Sequence, residues 1–198
     1  MKRNFTTLYC LIISASVIIS FTFAFASIAD AYEQPGNTAQ GYVIFTENNI
    51  KTEDMRKKSE LDKDKLSEYL EKFPDLSGIE NALIGAQEDY NVNAILILAI
   101  VRLESGNGGS QLAKSKNNLG GLVASGRSVT VYKSFETKSD CVTYMAKLLS
   151  ENYLTEGGRY YKGYTLNDIA KSYSTASQTW SALVTGLIYE IQTGLSAM

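Results

Sequence analysis

Asn93-Ala-Ile-Leu-Ile-Leu-Ala-Ile-Val-Arg-Leu-Glu104 is the stretch of sequence that decides the fold, and Ser105-Gly106 follows it directly. Residues 94–101 are apolar on every side, so a buried strand would fit their composition. The length of the run, its alanines and the flanking Asn93 and Gly106 favour a helix. Asn93 is a typical N-cap and Gly106 a typical stop, so we predict a buried helix that ends at Glu104.

Glu104 would then lie at the negative end of the helix dipole, beside a core that contains little water. Both conditions disfavour the ionised carboxylate and raise its pKa. A carboxylic acid that keeps its proton near neutral pH suits general acid catalysis, for example of glycosidic bond cleavage. The alternative is a carboxylate that only packs at a helix end, paired with Arg102 or Lys114.

Composition narrows the range of chemistry. The chain has 198 residues, of which 20% are charged, and this suits one soluble domain with an additional N-terminal region. It contains no histidine, so Ser-His-Asp and Cys-His catalysis and imidazole zinc sites are excluded. The net charge of -2 argues against nucleic-acid binding. We expect no cofactor, no metal site and a monomer.

The N-terminus has the pattern of an export signal. Lys2 and Arg3 precede an apolar stretch over residues 8–26, which is followed by small residues. The stretch is long enough that an uncleaved membrane anchor is the competing interpretation for residues 1–26. If the signal is removed, Cys10 is lost and Cys141 remains alone, so an intrachain disulfide could not form. In either case we expect the protein to act outside the membrane, as an exported, extracellular protein, in the cell wall or on the outer face of the membrane.

Pattern along the rest of the chain predicts a mainly α domain. We expect a flexible linker over residues 27–51, a charged amphipathic helix over 52–73, either continuous or broken once, and the main folded domain over 74–198. Alternation near Tyr132 predicts one small β-hairpin. Helical spacing predicts further helices over residues 77–90, 136–154, 165–173 and 177–195.

Several short motifs occur in a recognisable order. They are Glu104-Ser-Gly-Asn-Gly-Gly-Ser-Gln-Leu-Ala113, Asn117-Asn-Leu-Gly-Gly121, Val131-Tyr-Lys-Ser-Phe135, Tyr160-Tyr-Lys-Gly163 and Ile169-Ala-Lys-Ser-Tyr173. With these motifs the chain resembles the glucosaminidase family of peptidoglycan hydrolases over residues 79–191. The resemblance implies a lysozyme-like α fold with a small β lobe beside the cleft.

The resemblance also implies a reaction and a site. The reaction is cleavage of the β-1,4 bond after N-acetylglucosamine in wall glycan strands, with Glu104 as the general acid. Tyr173 corresponds to a cleft residue important for activity. Asn118 corresponds to a position that shapes the cleft floor, where its amide would hydrogen-bond an acetamido group.

The chain departs from the family pattern at two aromatic positions. Gly120 stands where many members have an aromatic residue before the last glycine of the Asn-Asn-Leu motif, and Asn107 stands where many have Trp. Both changes remove flat surface for a sugar, so we predict that sugar contacts shift to Tyr132, Tyr160 and Tyr161. Trp180 is followed by apolar residues at helical spacing, which favours the core over a sugar platform.

A partner carboxylate is missing where the family often has one, since residues 120–135 contain no Asp or Glu. The nearest candidates are Glu136, which we rank first, and then Asp140 and Glu156. In the other mechanism no second carboxylate is needed, because the acetamido oxygen of the substrate attacks the anomeric carbon.

Other readings of the same sequence are a muramidase, a lytic transglycosylase, or a catalytically idle wall-binding module. Residues 105–138 carry five cations and one acid, which favours an anionic polymer such as peptidoglycan as partner. Solvated surface lysines are the alternative for each single cation.

Overall fold

The protein is mainly helical, as the sequence predicts. The structure is a computed structural model that describes residues 42–124, 131–174 and 176–198. Among these residues, none of the helices combines the length and apolar character needed to cross a membrane. The expected signal or anchor over residues 1–26, and the expected linker as far as residue 41, lie outside the described residues. The described helices are α1 (Lys63–Leu70), α2 (Glu80–Tyr90), α3 (Ala94–Ser105), α4 (Gln111–Lys116), α5 (Lys138–Tyr153), α6 (Leu166–Tyr173) and α7 (Ser177–Ser196), with a 3₁₀ turn at Pro74–Leu76.

Helix α3 is the buried centre of the fold. Residues 94–102 of this helix are all buried, so the helix interpretation of the apolar run is confirmed. Asn93 begins the helix by accepting hydrogen bonds from the amides of Ile95 and Leu96 at 2.9 and 3.1 Å. Gly106 ends it in the left-handed conformation with φ 58°. Helix α7 packs along α3, and α2 packs against α5.

The charged helix predicted over residues 52–73 is wrong for its first half. Only Lys63–Leu70 is α-helical, and it begins at Asp62, whose side chain accepts hydrogen bonds from the amides of Asp64 and Lys65. In the first half, the side chain of Asp54 accepts hydrogen bonds from the backbone amide and the guanidinium of Arg56. Short polar side chains of this kind compete with the helical backbone and favour turns.

The expected linker also differs from the structure where it is described. Val43, Phe45 and Ile50 are buried in the core, as is Met55 in the segment that follows. Residues 42–62 therefore form a belt across the domain, which we call the N-terminal belt. Its backbone pairs with Tyr164 through the amide of Met55 at 2.9 Å. The buried apolar residues of this segment follow one another at intervals of two, five and five positions, so they give no helical or strand period.

The small hairpin predicted near Tyr132 stays a prediction. Residues 125–130 lie outside the described residues, and they contain the expected turn. On either side, Val123 and Tyr132 form an isolated antiparallel bridge. The amide of Lys133 donates to the carbonyl of Leu122 at 2.9 Å.

Asn93 makes the start of α3 a testable point of stability. Its amide nitrogen also donates to the carbonyl of Lys57 at 2.8 Å and to Ser59 Oγ at 2.9 Å, which fastens the N-terminal belt. Asn93→Ala removes a cap and leaves buried polar groups without partners, so we expect a loss of about 2–4 kcal/mol in the free energy of unfolding. Urea denaturation measures it.

Asn91→Gly is the matched control for this prediction. Asn91 is exposed and ends α2 with φ 50°, a conformation that glycine adopts easily. We expect its free energy of unfolding to stay close to that of the wild type. Equal stability of the Asn93→Ala variant and the wild type would contradict the role given to Asn93.

Candidate active site

Glu104 occupies the last turn of α3 and is half-buried. Its helix neighbours up to Arg102 are buried, so the carboxyl is largely removed from water. Desolvation raises the pKa of Glu104 above its ordinary value, because burial penalises the ionised form. The protonated acid is therefore retained to higher pH than in an exposed glutamate.

Trp180, in the first turn of α7, holds this carboxyl in place. Its indole Nε1 donates a hydrogen bond to Glu104 Oε1 at 3.1 Å, and the ring is only 6% exposed. The bond favours the ionised form and partly opposes desolvation, yet the pKa of Glu104 remains raised. No described residue bonds to Oε2 of Glu104, which leaves that oxygen for another partner.

Three tyrosines extend from Trp180 to the surface. Trp180 stacks on Tyr173 with ring centroids 4.6 Å apart, Tyr173 contacts Tyr153 at 5.4 Å, and Tyr153 contacts Tyr160 at 5.0 Å. Tyr173 and Tyr153 are buried, whereas Tyr160 is half-buried. We call these four side chains the aromatic row. The row leads from the acid to the loop between α5 and α6.

The loop after Glu104 is tied back to α3 by Ser105. This side chain is fully buried, and its hydroxyl donates to the carbonyl of Val101 at 2.6 Å. The same oxygen accepts the amide of Gly108 at 2.7 Å. Ser105 therefore fixes the loop, and its hydroxyl is committed to the backbone.

The buried side chain of Asn118 is hydrogen-bonded to the backbone on both sides of its loop. Its amide nitrogen donates to the carbonyls of Leu122 and Lys133 at 2.8 and 3.0 Å, and its oxygen accepts the amide of Leu122 at 2.9 Å. The side chain is 1% exposed. These bonds use both N–H groups of the amide and do not favour the predicted contact with an acetamido group, which stays a prediction. Asn118 supports the loop of residues 119–122.

Gly120 is explained by its neighbour Met145. A Cβ atom at position 120 would lie 2.8 Å from Met145 Sδ and 3.3 Å from Leu122 Cγ. Met145 is buried in the core. The space next to the backbone is thus filled from α5, and an aromatic ring at position 120 would require repacking.

The tyrosines predicted to bind sugar lie in different surroundings. Tyr160 belongs to the aromatic row, whereas Tyr161 makes an edge contact with Tyr164 at 5.3 Å. Tyr164 carries the guanidinium of Arg56 3.3 Å above its ring and lines an open groove of about 310 Å³. Tyr132 is half-buried beside Val123. Tyr160 and Tyr161 are adjacent in sequence, but their side chains contact different residues.

The candidate second carboxylates have other surroundings as well. Glu136 is exposed, Asp140 closes a capping box with Thr137 at the start of α5, and Glu156 accepts the hydroxyl of Tyr164 at 3.3 Å. In the described part of the chain, no hydrogen bond or ion pair joins any of the three to Glu104. Within residues 42–124, 131–174 and 176–198, no cluster of acidic or cysteine side chains could hold a metal ion.

Two of the cations near the site contact Asp75. Lys114 pairs with its carboxylate at 3.5 Å, and Lys138 donates to its backbone carbonyl. Lys133 lies 4.7 Å from the centre of the Tyr144 ring. Of these three, only Lys114 is paired with a carboxylate, so the positive excess counted from the sequence is lowered by one charge.

Sequence reasoning missed one contact of the candidate site. Trp180 is in the core, as predicted, but its bond to Glu104 was not foreseen. A signal was present: a buried indole N–H needs an acceptor, and this is the single tryptophan of the chain. The sequence does not show which acceptor lies nearby, because Glu104 and Trp180 are 76 positions apart.

A helical domain with one half-buried acid beside a row of aromatic side chains has the character of the lysozyme-like proteins. The sequence profile of the glucosaminidase family, described as mannosyl-glycoprotein endo-beta-N-acetylglucosaminidase, matches residues 80–193. This match covers more than half of the chain. The chain belongs to the glucosaminidase family.

Similar proteins agree with this assignment. Two proteins from Streptococcus pneumoniae, of strains TIGR4 and R6, carry the provisional name endo-beta-N-acetylglucosaminidase. Each is 35% identical over 102 residues, which is 46% of this chain. The chain spans only 15% and 14% of the length of these curated relatives.

A solved structure supports the fold. The crystal structure of S. aureus autolysin E superposes with a TM-score of 0.53 at 17% identity, covering 74% of this chain and 72% of the other. The predicted lysozyme-like α class is thereby confirmed.

The single tryptophan gives a direct test of the raised pKa of Glu104. Because its indole N–H bonds to the carboxylate, the indole ¹H–¹⁵N resonance should shift as Glu104 titrates. We expect an inflexion above the ordinary value of 4.5, and no such inflexion in the Glu104→Gln variant. An inflexion at or below 4.5 in the wild type would contradict the burial argument.

Proposed function

We propose that this chain is an exported peptidoglycan hydrolase that cleaves the β-1,4 bond after N-acetylglucosamine, with Glu104 as the general acid. The observation that supports this most is the half-buried Glu104 with its raised pKa and its bond to Trp180, in a chain of the glucosaminidase family. We propose that it acts as a monomer on glycan strands outside the membrane and needs no cofactor. The N-terminal segment would direct its export.

In the proposed reaction, Oε2 of Glu104 faces the glycosidic oxygen. Its proton moves to that oxygen as the bond to the anomeric carbon breaks, so the sugar leaves as a neutral alcohol. The raised pKa keeps the proton available near neutral pH. After transfer, the N–H of Trp180 stabilises the new negative charge on the carboxylate, because hydrogen bonds to charged acceptors are the strong ones.

For the second group we favour the substrate itself. The acetamido oxygen would attack the anomeric carbon while Glu104 protonates the leaving oxygen, and water would then open the resulting ring and return a proton to Glu104. The surroundings of Asp140 and Glu156 support this choice, because both carboxylates serve other bonds. Glu136 remains the alternative as a base or nucleophile, since it is exposed and free to approach a bound glycan.

The aromatic row supplies the proposed sugar contact. Tyr160 is its half-buried end and offers a ring face or edge against which a pyranose could pack. Tyr173, in contrast, is 5% exposed and stacked on Trp180, so we assign it the positioning of Trp180. Tyr132 and Tyr161 are secondary candidates for contacts further along the strand.

Replacement of Glu104 by Gln tests this proposal. The amide cannot give up a proton, so we expect release of soluble fragments from purified wall to fall by about 10²- to 10⁴-fold. Gln can still accept the bond from Trp180, so the circular dichroism spectrum should stay unchanged. Wall clearance at the wild-type rate by this variant would overturn the role of Glu104.

The same variant should show a characteristic dependence of stability on pH. A carboxyl with a raised folded-state pKa stabilises the fold below its ordinary pKa of 4.5 and loses that contribution as pH rises through the raised value. The Gln variant has no such loss. Its free energy of unfolding relative to wild type should therefore be greater near neutral pH than near the ordinary pKa, as urea titrations at both pH values would show.

A further inference from the structure

Arg102 braces the loop that follows the acid. We call residues 105–110 the acid loop. The carbonyl of Arg102 accepts the amides of Gly106 and Asn107, the latter at 2.9 Å. Its side-chain Nε donates to Asn107 Oδ1 at 2.9 Å. Asn107 is thus bound twice to one residue of α3, and we call this pair the Arg102–Asn107 brace.

The guanidinium of Arg102 is itself fixed from two other helices. Nη1 donates to the hydroxyl of Tyr69 on α1 at 2.7 Å, and Nη2 pairs with Glu190 on α7 at 3.0 Å. The ring of Phe73 lies 4.1 Å from its Cζ. Burial raises the pKa of Tyr69 to about 12, so its hydroxyl stays neutral as an acceptor. A buried guanidinium with these partners has little freedom to move.

The 3₁₀ turn before α2 closes the other side of the acid loop. Gly108 has φ +81°, and a Cβ atom there would lie 2.7 Å from the carbonyl oxygen of Asp75. The backbone of the loop therefore passes directly against this turn. Tyr69, Phe73 and Asp75 all precede residue 80, where the match to the family profile begins.

From this arrangement we propose that the Arg102–Asn107 brace positions Glu104, and that residues 63–76 belong to the catalytic unit although they lie outside the matched family region. The proposal rests on the proposed function of Glu104. Arg102 and Asn107 flank the acid in sequence, so any change in the end of α3 or the acid loop moves the carboxyl relative to Trp180. Both are positioning residues, because they act through the backbone on Glu104.

The brace also explains the amide at position 107. Asn107 has φ 56°, a left-handed conformation that asparagine adopts more readily than most residues. Arginine has donors only, so the atom facing Arg102 Nε must be the amide oxygen. Where many family members have an aromatic residue, this chain therefore has an acceptor matched to a buried guanidinium.

Asn107→Gly is the decisive variant. Glycine keeps the left-handed backbone but removes the acceptor for Arg102 Nε. We expect kcat on soluble, uncrosslinked peptidoglycan strands to fall by about 10- to 100-fold with KM nearly unchanged, since small misplacements of catalytic groups have effects of this size. The pH inflexion of the Trp180 indole resonance should move toward the ordinary value for glutamate.

Two further variants serve as a second test of the brace and as its control. Arg102→Lys cannot bond Asn107, Tyr69 and Glu190 together, so it should reproduce the loss in kcat and the shifted inflexion. Lys147→Gln removes an exposed ion pair with Glu151 on α5, which has no part in the brace, and should leave both readouts close to wild type. Melting temperatures of all variants show whether each remains folded at the assay temperature.

The outcomes separate this proposal from the proposed function. A folded Asn107→Gly variant with wild-type kcat and an unchanged indole inflexion would overturn the brace. If the Asn107→Gly variant has a lower melting temperature but wild-type kcat and inflexion, the brace serves stability only, and the proposal is overturned as well. If the wild type releases no fragments from wall, the proposed function fails, whereas the indole titration still tests the brace.

Discussion

The hydrogen bond from the Trp180 indole to Glu104 joins the two helices on which the rest of the structure depends. Helix α3 is buried from Ala94 to Arg102, and its last turn places the Glu104 carboxyl at the edge of the core. Helix α7 brings the indole that meets it. Burial and this single bond act in opposite directions on the protonation of Glu104, and burial prevails. The proposed chemistry of the site rests on that balance.

The surrounding elements hold the two helices in place. Ser105 and Asn107 fix the loop behind the acid, whereas Tyr173 and Tyr153 support the indole. The N-terminal belt fastens the start of α3 through Asn93 and reaches α6 through a bridge between Asp54 and Thr165, the N-cap of α6. Residues before the matched family region therefore contribute to the same unit as the acid.

Local signals predicted much of this arrangement from sequence. Asn93 and Gly106 marked the ends of α3, and the unbroken apolar run marked its burial, because caps and burial act over a few residues. Thr165 likewise begins α6 close to the predicted position. The place of Glu104 at the end of α3, together with its motif, makes it the candidate acid.

Contacts between distant segments could not be predicted in this way. Trp180 and Glu104, or Arg102 and Tyr69, meet only after the helices pack, and no periodic pattern encodes their pairing. The packing of the N-terminal belt is not predictable from the sequence, because its buried apolar residues have no helical or strand period. The motif position of Asn118 is compatible with ligand binding or with loop support, and the sequence alone does not show its bonds to the backbone of Leu122.

The most direct test of the account is the identity of the sugar at the newly formed end. Purified peptidoglycan would be digested with the wild-type protein, the fragments reduced, and the products analysed by mass spectrometry. Reduced N-acetylglucosamine at the new ends is the predicted result. Reduced N-acetylmuramic acid would indicate a muramidase, a 1,6-anhydro sugar would indicate a lytic transglycosylase, and wall binding without soluble fragments would indicate an idle module. Any of these three results would contradict the account.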